Sequence, residues 1–206
     1  GIAPTTYTDG AGRHYNLVHT VIRTGSRHLV VTHAADVTRY MLTEQKLAMT
    51  AKTDPLTGIY NRRAGLEILE ETYSRTRKSG RPLTVGFADI DGLKQINDTY
   101  GHGAGDAMIR SAADVLKKHV GPDGTVFRLG GDEFVLILPD VNQVQAALIA
   151  EQIKSGIKRC FAGSTHSISI SFGFKQAEYT PEETAALLIN VADMDMYRDK
   201  RNKSAD

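Results

Sequence analysis

The segment FRLGGDEFVLIL (127–138) places two acidic residues, Asp132 and Glu133, between two runs that are typical of β-strands. Adjacent carboxylates repel each other, so they either point into water or are neutralised by a cation. A second pair, Asp89 and Asp91, lies in the sequence ADID, and alternation along a strand places both carboxylates on one face. Carboxylate oxygens without histidine or cysteine favour Mg²⁺ or Mn²⁺, and such a cation can serve phosphoryl or nucleotidyl transfer.

Each acidic pair also has a simpler interpretation. A Gly-Gly-Asp-Glu sequence alone is an ordinary hairpin turn, and one acidic pair at a strand end is more often solvated surface than metal site. The glycines, Gly130 and Gly131, have a further use, because a backbone without Cβ atoms lets a ribose or purine lie close. The metal hypothesis therefore requires the two pairs, which are far apart in sequence, to meet in space.

The surrounding elements would bring them together. Their order is strand, helices, strand, strand, helix, strand, and in a βαββαβ fold the first strand lies beside the central hairpin. The sequence therefore predicts an α+β, ferredoxin-like fold with a central mixed, mainly antiparallel sheet flanked by helices. Strands are predicted at Leu83–Ile90, Thr125–Leu129, Phe134–Leu138 and His166–Phe174, and helices at Asn61–Ser79, Leu93–Tyr100, Asp106–His119 and Asn142–Cys160. Pro181 is predicted to open a last helical region that runs to about Arg201.

Two further zones precede this domain, which we expect to span residues 54–206. In residues 1–35, the runs HYNLVHTVIRT and RHLVVTH flank Gly25-Ser26, a pattern that predicts a β-hairpin. Residues 36–53 lack glycine and proline and predict a linker helix. A short heptad-spaced seam along that helix, interrupted by Glu44, could pair with its copy in a dimer: Val37, Met41, Ala48 and Ala51.

Composition excludes several classes of protein. The 206 residues are 41% hydrophobic and 24% charged with a net charge of +1, which does not favour binding to a nucleic acid duplex. No apolar run reaches the ~20 residues that span a bilayer, and the first ten residues lack the layout of a signal peptide. The chain begins at Gly1, which indicates a fragment, and its single cysteine, Cys160, predicts a reducing, cytoplasmic location.

Five motifs together resemble those of the GGDEF-domain diguanylate cyclases. They are DPLTGIYNRR, DIDGLKQIND, GHGAGD, the hairpin GGDEF and the tail ADMDMY, in the family's order and spacing between about Thr53 and Lys203. The resemblance implies a nucleotidyl-cyclase palm that condenses two GTP molecules into cyclic di-GMP and releases two pyrophosphates. It also implies a homodimer, because the 3′-hydroxyl of one nucleotide attacks the α-phosphate of the other.

The resemblance assigns the acids to metal binding and proton transfer. Asp89, the carbonyl of Ile90, Asp132 and Glu133 would bind Mg²⁺ or Mn²⁺. Asp132 or Glu133 would also be the base for the 3′-hydroxyl, and the choice between them stays open because coupled carboxylates titrate together.

Other matching residues would bind the substrate. Lys94 would neutralise triphosphate charge during catalysis, and the amides of Gly92 and Leu93 would cradle phosphates at a helix start. Contacts to base and ribose would come from Asn97, His102 and Asp106, where Asp106 suits the N1–H and 2-amino donors of guanine. Lys200 would contact phosphate, although Arg201, Asn202 and Lys203 replace the more usual Gly-Arg-Asn ending.

Two regions depart from the family or extend beyond it. Many members carry an Arg-x-x-Asp site for product inhibition, but Gly121 and Gly124 occupy its positions here, so we expect no inhibition through that site. The N-terminal hairpin with its Asp-Val-Thr ending resembles the closing strands of a PAS sensor domain, of which residues 1–35 would be a truncated tail. Its histidines are expected to face solvent rather than bind metal or haem: His14, His19, His28 and His33.

Other functions compete with an active, Mg²⁺-dependent cyclase. A non-catalytic domain could bind GTP or a cyclic dinucleotide as a regulatory module, although Asp89, Lys94, Asp132 and Glu133 are all present. A cyclase could instead make a mixed or different cyclic dinucleotide, which Asp106 disfavours. A purely structural hairpin protein would have no nucleotide role.

Overall fold

The computed structural model describes residues 5–161 and 168–203, in two compact units that divide between Ala51 and Lys52. The first unit contains β1 (Thr5–Thr8), β2 (His14–Thr24), β3 (Arg27–Asp36) and most of α1 (Thr38–Lys52). The second contains α2 (Arg62–Ser79), β4 (Leu83–Asp91), α3 (Leu93–Tyr100), α4 (His102–His119), β5 (Thr125–Gly130), β6 (Glu133–Pro139), α5 (Gln143–Cys160), β7 (Ser169–Gln176) and α6 (Ala185–Lys203).

In the first unit, β1, β2 and β3 form an antiparallel sheet in that order, and β1 is a strand that the sequence did not predict. Gly25 and Ser26 form the predicted turn between Thr24 and Arg27. The Asp-Val-Thr ending starts α1, because the Asp36 carboxylate accepts a hydrogen bond from the Thr38 backbone N–H. The side chain of Ala48, part of the predicted seam, lies outside the described residues.

The second unit has the predicted ferredoxin-like fold. Its four strands follow the order β5-β6-β4-β7, and each neighbouring pair is antiparallel. A parallel bridge between Tyr60 and Phe127 adds the mixed character that was expected. The predicted strand at His166–Phe174 is observed as Ser169–Gln176, and residues 166 and 167 lie outside the described residues.

Alternation along β4 divides the core between the two faces of the sheet. Leu83, Val85 and Phe87 belong to the cluster that includes buried residues of α2 and α6. Ala88 and Ile90 belong to the cluster that α4 and α5 cover. Asp89 and Asp91 continue the first face beyond its apolar part, so the pattern that buries β4 also directs both carboxylates towards the side of α6.

The helix limits show where local patterns decide the structure and where they do not. Asn61 and Asn142 cap α2 and α5 as their positions suggest, and Asn142 forms a reciprocal capping box with Gln145. The prediction that α4 begins at Asp106 was wrong: it begins at His102, because Gly101, at φ 82°, ends α3 and starts α4 in one step.

The start of the last helix also differs from the prediction. Pro181 lies in a turn, and α6 begins at Ala185. The Glu183 carboxylate accepts the backbone N–H groups of Glu178 and Tyr179, which holds this turn out of the helix. Thr184 then accepts the Leu187 N–H and caps α6. Within the described residues, no helix combines the length and the apolar character needed to cross a bilayer.

Candidate functional site

The end of β4 meets the turn between β5 and β6. Asp89 is the cross-strand partner of Glu133, and the Ile90 N–H donates to the Asp132 carbonyl at 3.2 Å. The two acidic pairs, distant in sequence, therefore converge at one edge of the sheet as predicted. The side chain of Ile90 is buried, which leaves only its backbone for any role at this edge.

The acids at this edge are electrostatically coupled. Asp89 is 8% exposed, and its burial, together with the nearby charges of Asp132 and Asp91, raises the pKa of its carboxyl group even though Lys200 opposes the shift. Burial likewise raises the pKa of Glu133, and the charges of Asp89 and Asp132 add to the effect. Each carboxylate is therefore harder to ionise than in water, and a cation at this edge would relieve the repulsion.

Two lysines of α6 contact these acids. Lys200 Nζ lies 2.5 Å from Asp89 Oδ1, and despite its burial this pairing raises the pKa of Lys200. Lys203 donates to the Ile170 carbonyl at 2.8 Å and to Ser171 Oγ at 2.9 Å, and it lies 3.4 Å from Asp91. The contact of Lys200 with a carboxylate was not predicted, and Lys203 was given no role because a charged helix end is usually solvated. Their spacing was a usable signal, because residues i and i+3 share one helix face.

The turn that carries Asp132 is held by Arg128, which the sequence analysis also missed. Nε and Nη2 of its guanidinium donate to the Gly131 carbonyl at 3.0 and 2.7 Å. Nη1 pairs with Asp54 at 3.1 Å, and both side chains are mostly buried. Burial disfavours the Asp54 anion, but hydrogen bonds from Thr57 and Arg128 outweigh it and lower the pKa of this carboxyl group. Arg128 thus ties the β5–β6 turn to the segment that precedes α2.

A second group of predicted residues lies at the corner between α3 and α4. Gly92, at φ 78°, starts α3, where Leu93 is buried and Lys94 is exposed. Asn97 is partly buried on α3, and its side-chain Oδ1 has no hydrogen-bond partner among the described residues. This orphaned acceptor is what a binding site for an N–H donor would contain.

The remaining predicted residues are more open. His102 is exposed at the start of α4. Asp106, one turn later, is half-exposed and lies 4.0 Å from Arg110. Gly130 and Gly131 are both exposed, and Gly131 has φ 51°, a left-handed conformation that glycine adopts readily.

Comparison with known proteins identifies the family over the region that carries these motifs. The sequence profile of the family described as "Diguanylate cyclase, GGDEF domain" matches residues 51–206. The chain belongs to this family. Diguanylate cyclase DgcP of Pseudomonas aeruginosa is 36% identical over 154 residues, which are 73% of this chain and 23% of DgcP. Probable diguanylate cyclase DgcF of Escherichia coli K12 is 36% identical over 164 residues, which are 77% of this chain and 51% of that protein.

Solved structures agree with this membership. The coiled coil and GGDEF domain of DgcB from Caulobacter crescentus, in complex with c-di-GMP, has a TM-score of 0.73 at 29% identity and covers 81% of this chain and 89% of that chain. The chain spans 23% and 33% of the length of two curated relatives, the cyclases DgcP and DosC. The shared part is therefore the GGDEF domain.

The acidic edge of this GGDEF domain fits a divalent cation in its chemistry. Asp89 already attracts an ammonium group, and carboxylate and carbonyl oxygens are the ligands that Mg²⁺ and Mn²⁺ prefer. Across the described residues, however, no three acidic, histidine or cysteine side chains are grouped so that they could hold one ion together. A cation here would be held by few protein ligands, which leaves coordination positions for phosphate oxygens.

Proposed function

We propose that this GGDEF domain is a diguanylate cyclase that joins two GTP molecules into cyclic di-GMP and releases two pyrophosphates. The observation that carries the proposal is the convergence of the β4 end on the β5–β6 turn, through the Ile90–Asp132 hydrogen bond and the Asp89–Glu133 pairing. The curated relatives named as diguanylate cyclases support the same reaction.

Asp89, the Ile90 carbonyl and Asp132 would hold Mg²⁺ or Mn²⁺, with Glu133 completing the acidic set. When bound, such a cation lowers the pKa of a ribose 3′-hydroxyl and neutralises phosphate charge. Asp132, or Glu133 beside it, accepts the hydroxyl proton. Arg128 keeps the turn in place through the Gly131 carbonyl, so the proton acceptor stays close to the nucleotide.

The nucleotide is proposed to lie between the turn and the α3–α4 corner. The amides of Gly92 and Leu93 bind phosphate at the start of α3, and the exposed Lys94 balances the charge of the leaving pyrophosphate. Gly130 and Gly131 allow close approach of the sugar. Base and ribose contacts come from three side chains of the corner: Asn97, His102 and Asp106.

We propose that Lys200 has one partner before a metal ion binds and a different partner afterwards. Its ammonium group neutralises Asp89 at 2.5 Å, and the same group lies at the edge where triphosphate would bind. We propose that Lys200 exchanges its carboxylate partner for a phosphate oxygen when cation and GTP bind, because the cation then satisfies Asp89.

We propose that turnover requires a homodimer, because each domain binds one of the two GTP molecules that are joined. Specific activity should fall as the protein is diluted below its dimer dissociation constant. Activity that stays constant over that range would contradict the two-domain mechanism. The linker helix α1 is the proposed contact between copies, and its removal should weaken dimerisation.

The deciding experiment is incubation of the chain with GTP and Mg²⁺, followed by chromatography for cyclic di-GMP and an assay for pyrophosphate. We expect both products in a ratio of one to two, and none with ATP alone. Asp123→Asn, in the exposed turn before β5, is the matched acidic control for Asp132→Asn. GTP binding without any product, at high protein concentration, would instead identify a non-catalytic regulatory module.

Regulation by product is proposed to be absent at the turn before β5. Gly121 has φ 80°, and a Cβ atom at Gly124 would lie 2.2 Å from the Val120 carbonyl oxygen. Neither position accepts a larger side chain without rebuilding the turn. Cyclic di-GMP should therefore inhibit only in competition with GTP. A non-competitive component in the initial rates would contradict this.

We also propose the origin of the N-terminal unit and the compartment of the protein. The Asp36–Thr38 junction and the long β2–β3 hairpin support a PAS-like sensor tail that leads into α1. The single cysteine is exposed and unpaired by any disulfide, which supports a reducing cytoplasm. A limited-proteolysis fragment that retains the hairpin and binds a sensory ligand would test the first point.

A further inference from the structure

Gly105, on α4, is buried against the side chain of Asn97 on α3. A Cβ atom at position 105 would lie 2.0 Å from Asn97 Oδ1 and 2.9 Å from Asn97 Cγ. Non-bonded carbon and oxygen atoms do not approach so closely, so any residue other than glycine requires the Asn97 amide to move. Glycine is needed at this position for space, since its backbone is ordinary α-helix.

The atom that would be displaced is the orphaned acceptor. Asn97 Oδ1 is buried and accepts no hydrogen bond from the described residues. A buried oxygen without a donor destabilises the protein that carries it, which makes its position informative when a ligand can supply the donor. Under the proposed function, that donor is an N–H group of the guanine base.

We propose that Gly105 is a positioning residue for nucleotide binding, whose missing Cβ lets the Asn97 amide stand where it accepts a hydrogen bond from the base. This inference rests on the proposed function. The Asn97 amide is the far end of a flexible side chain, so a methyl group at position 105 turns it aside without breaking the backbone. The loss therefore falls on guanine recognition and not on folding.

The same helix provides a matched control. Gly103 precedes Gly105 on α4, is exposed, and has no atom within 4 Å of an added Cβ. Gly103→Ala and Gly105→Ala both improve helix propensity. They differ in whether the new methyl group meets Asn97.

The experiment measures GTP and ATP affinity and steady-state rates for both variants in the full chain. For Gly105→Ala we expect GTP affinity to fall about tenfold, with the preference for GTP over ATP reduced by the same factor and kcat changed less. The GTP affinity and rates of Gly103→Ala should stay within about twofold of those of the unaltered protein, because substitutions at exposed positions usually have small effects. In the nucleotide-free protein, the Asn97 side-chain amide NMR signal should shift in Gly105→Ala and stay in place in Gly103→Ala.

A double-mutant cycle separates this role from a general packing role. In an Asn97→Ala background, Gly105→Ala should cause no further loss of GTP affinity, because the amide it displaces is gone. If Gly105→Ala alone does not fold, the double variant should fold again, since the clash has been removed. Equal losses in both backgrounds, or a double variant that stays unfolded, would overturn the proposal.

The outcomes also distinguish this inference from the proposed function. If the unaltered chain binds GTP and Gly105→Ala binds it within twofold, the positioning role is wrong and the proposed function is untouched. If the unaltered chain neither binds nor converts GTP, the proposed function fails and the nucleotide role of Gly105 fails with it.

Discussion

The β2–β3 hairpin and the β5–β6 hairpin both join antiparallel strands through a two-residue turn whose first residue is a left-handed glycine. The turn is Gly25-Ser26 in the first hairpin and Gly131-Asp132 in the second. Their surroundings differ. Every residue of β3 is exposed, whereas β6 is buried from Phe134 to Pro139. Turn geometry alone therefore does not make a site.

Two features distinguish the second hairpin. Its register shifts between Arg128 and Gly130, which lets Arg128 turn back and hold the Gly131 carbonyl. Its strand β6 also lies beside β4, which brings Asp89 opposite Glu133. The first hairpin keeps regular pairing from Tyr15 with Asp36 to Thr24 with Arg27. An acidic residue at a turn becomes a candidate site residue when the turn is held in place and a second acidic residue lies near it.

The largest effect should come from the acid at the tip of the second hairpin. Asp132→Asn keeps the size of the side chain but removes the proposed base and metal ligand. We expect turnover to fall at least about 1,000-fold, with the thermal midpoint changed by less than about 2 °C. The measurement is cyclic di-GMP formation by chromatography. Ser26→Ala, at the tip of the first hairpin, should leave the rate unchanged, and equal losses in both variants would contradict the comparison.

The next effect should come from the arginine that holds the second turn. Arg128→Ala removes the partner of a largely buried Asp54, so the free energy of unfolding should fall by about 3 kcal/mol. Turnover should fall as well, because the turn loses its anchor. Arg128→Lys should restore little, since an ammonium group cannot reproduce the fork of the guanidinium.

Denaturant unfolding and initial rates measure both consequences. The control is Arg23→Ala, next to the end of β2, where the side chain is exposed and the change in unfolding free energy should stay below about 0.5 kcal/mol. A neutral result for Arg128→Ala would show that the turn is held by its own backbone.

Much of this contrast follows from sequence, but the contacts of Arg128 with Asp54 and with the Gly131 carbonyl do not. Alternating residues predicted both hairpins, the β4 strand and the shared face of Asp89 and Asp91. Local patterns could not reveal the contacts of Arg128 with Asp54 or of Lys200 with Asp89, because each joins residues distant in the chain. The early start of α4 was missed because its glycines lower helix propensity, while the tight packing of Gly105 on Asn97 favours glycine there.

A smaller effect should appear in how the stability contributed by the Arg128–Asp54 pair depends on acid pH. Asp54 has a pKa below the ordinary value of 3.8, so its ionised form stabilises the folded protein. That stabilisation is complete above the unfolded-state pKa and is lost as pH falls through the lower folded-state pKa. Asp54→Asn should therefore flatten the fall in unfolding free energy below about pH 4. An unchanged acid slope in denaturant titrations would mean that another carboxyl group dominates it.

The smallest effect should come from the first hairpin itself. Val30 is 62% exposed and faces Val21 across the strands, so Val30→Thr removes little buried apolar surface and keeps the branched shape that strands favour. The free energy of unfolding should change by less than about 0.5 kcal/mol, as for other surface positions. Val135→Thr is the matched change in the second hairpin, where Val135 is fully buried, and should cost several times more. If Val30→Thr costs as much as Val135→Thr, another protein surface covers the first hairpin in solution. The two hairpins would then differ in what buries them, and no longer in whether they are buried.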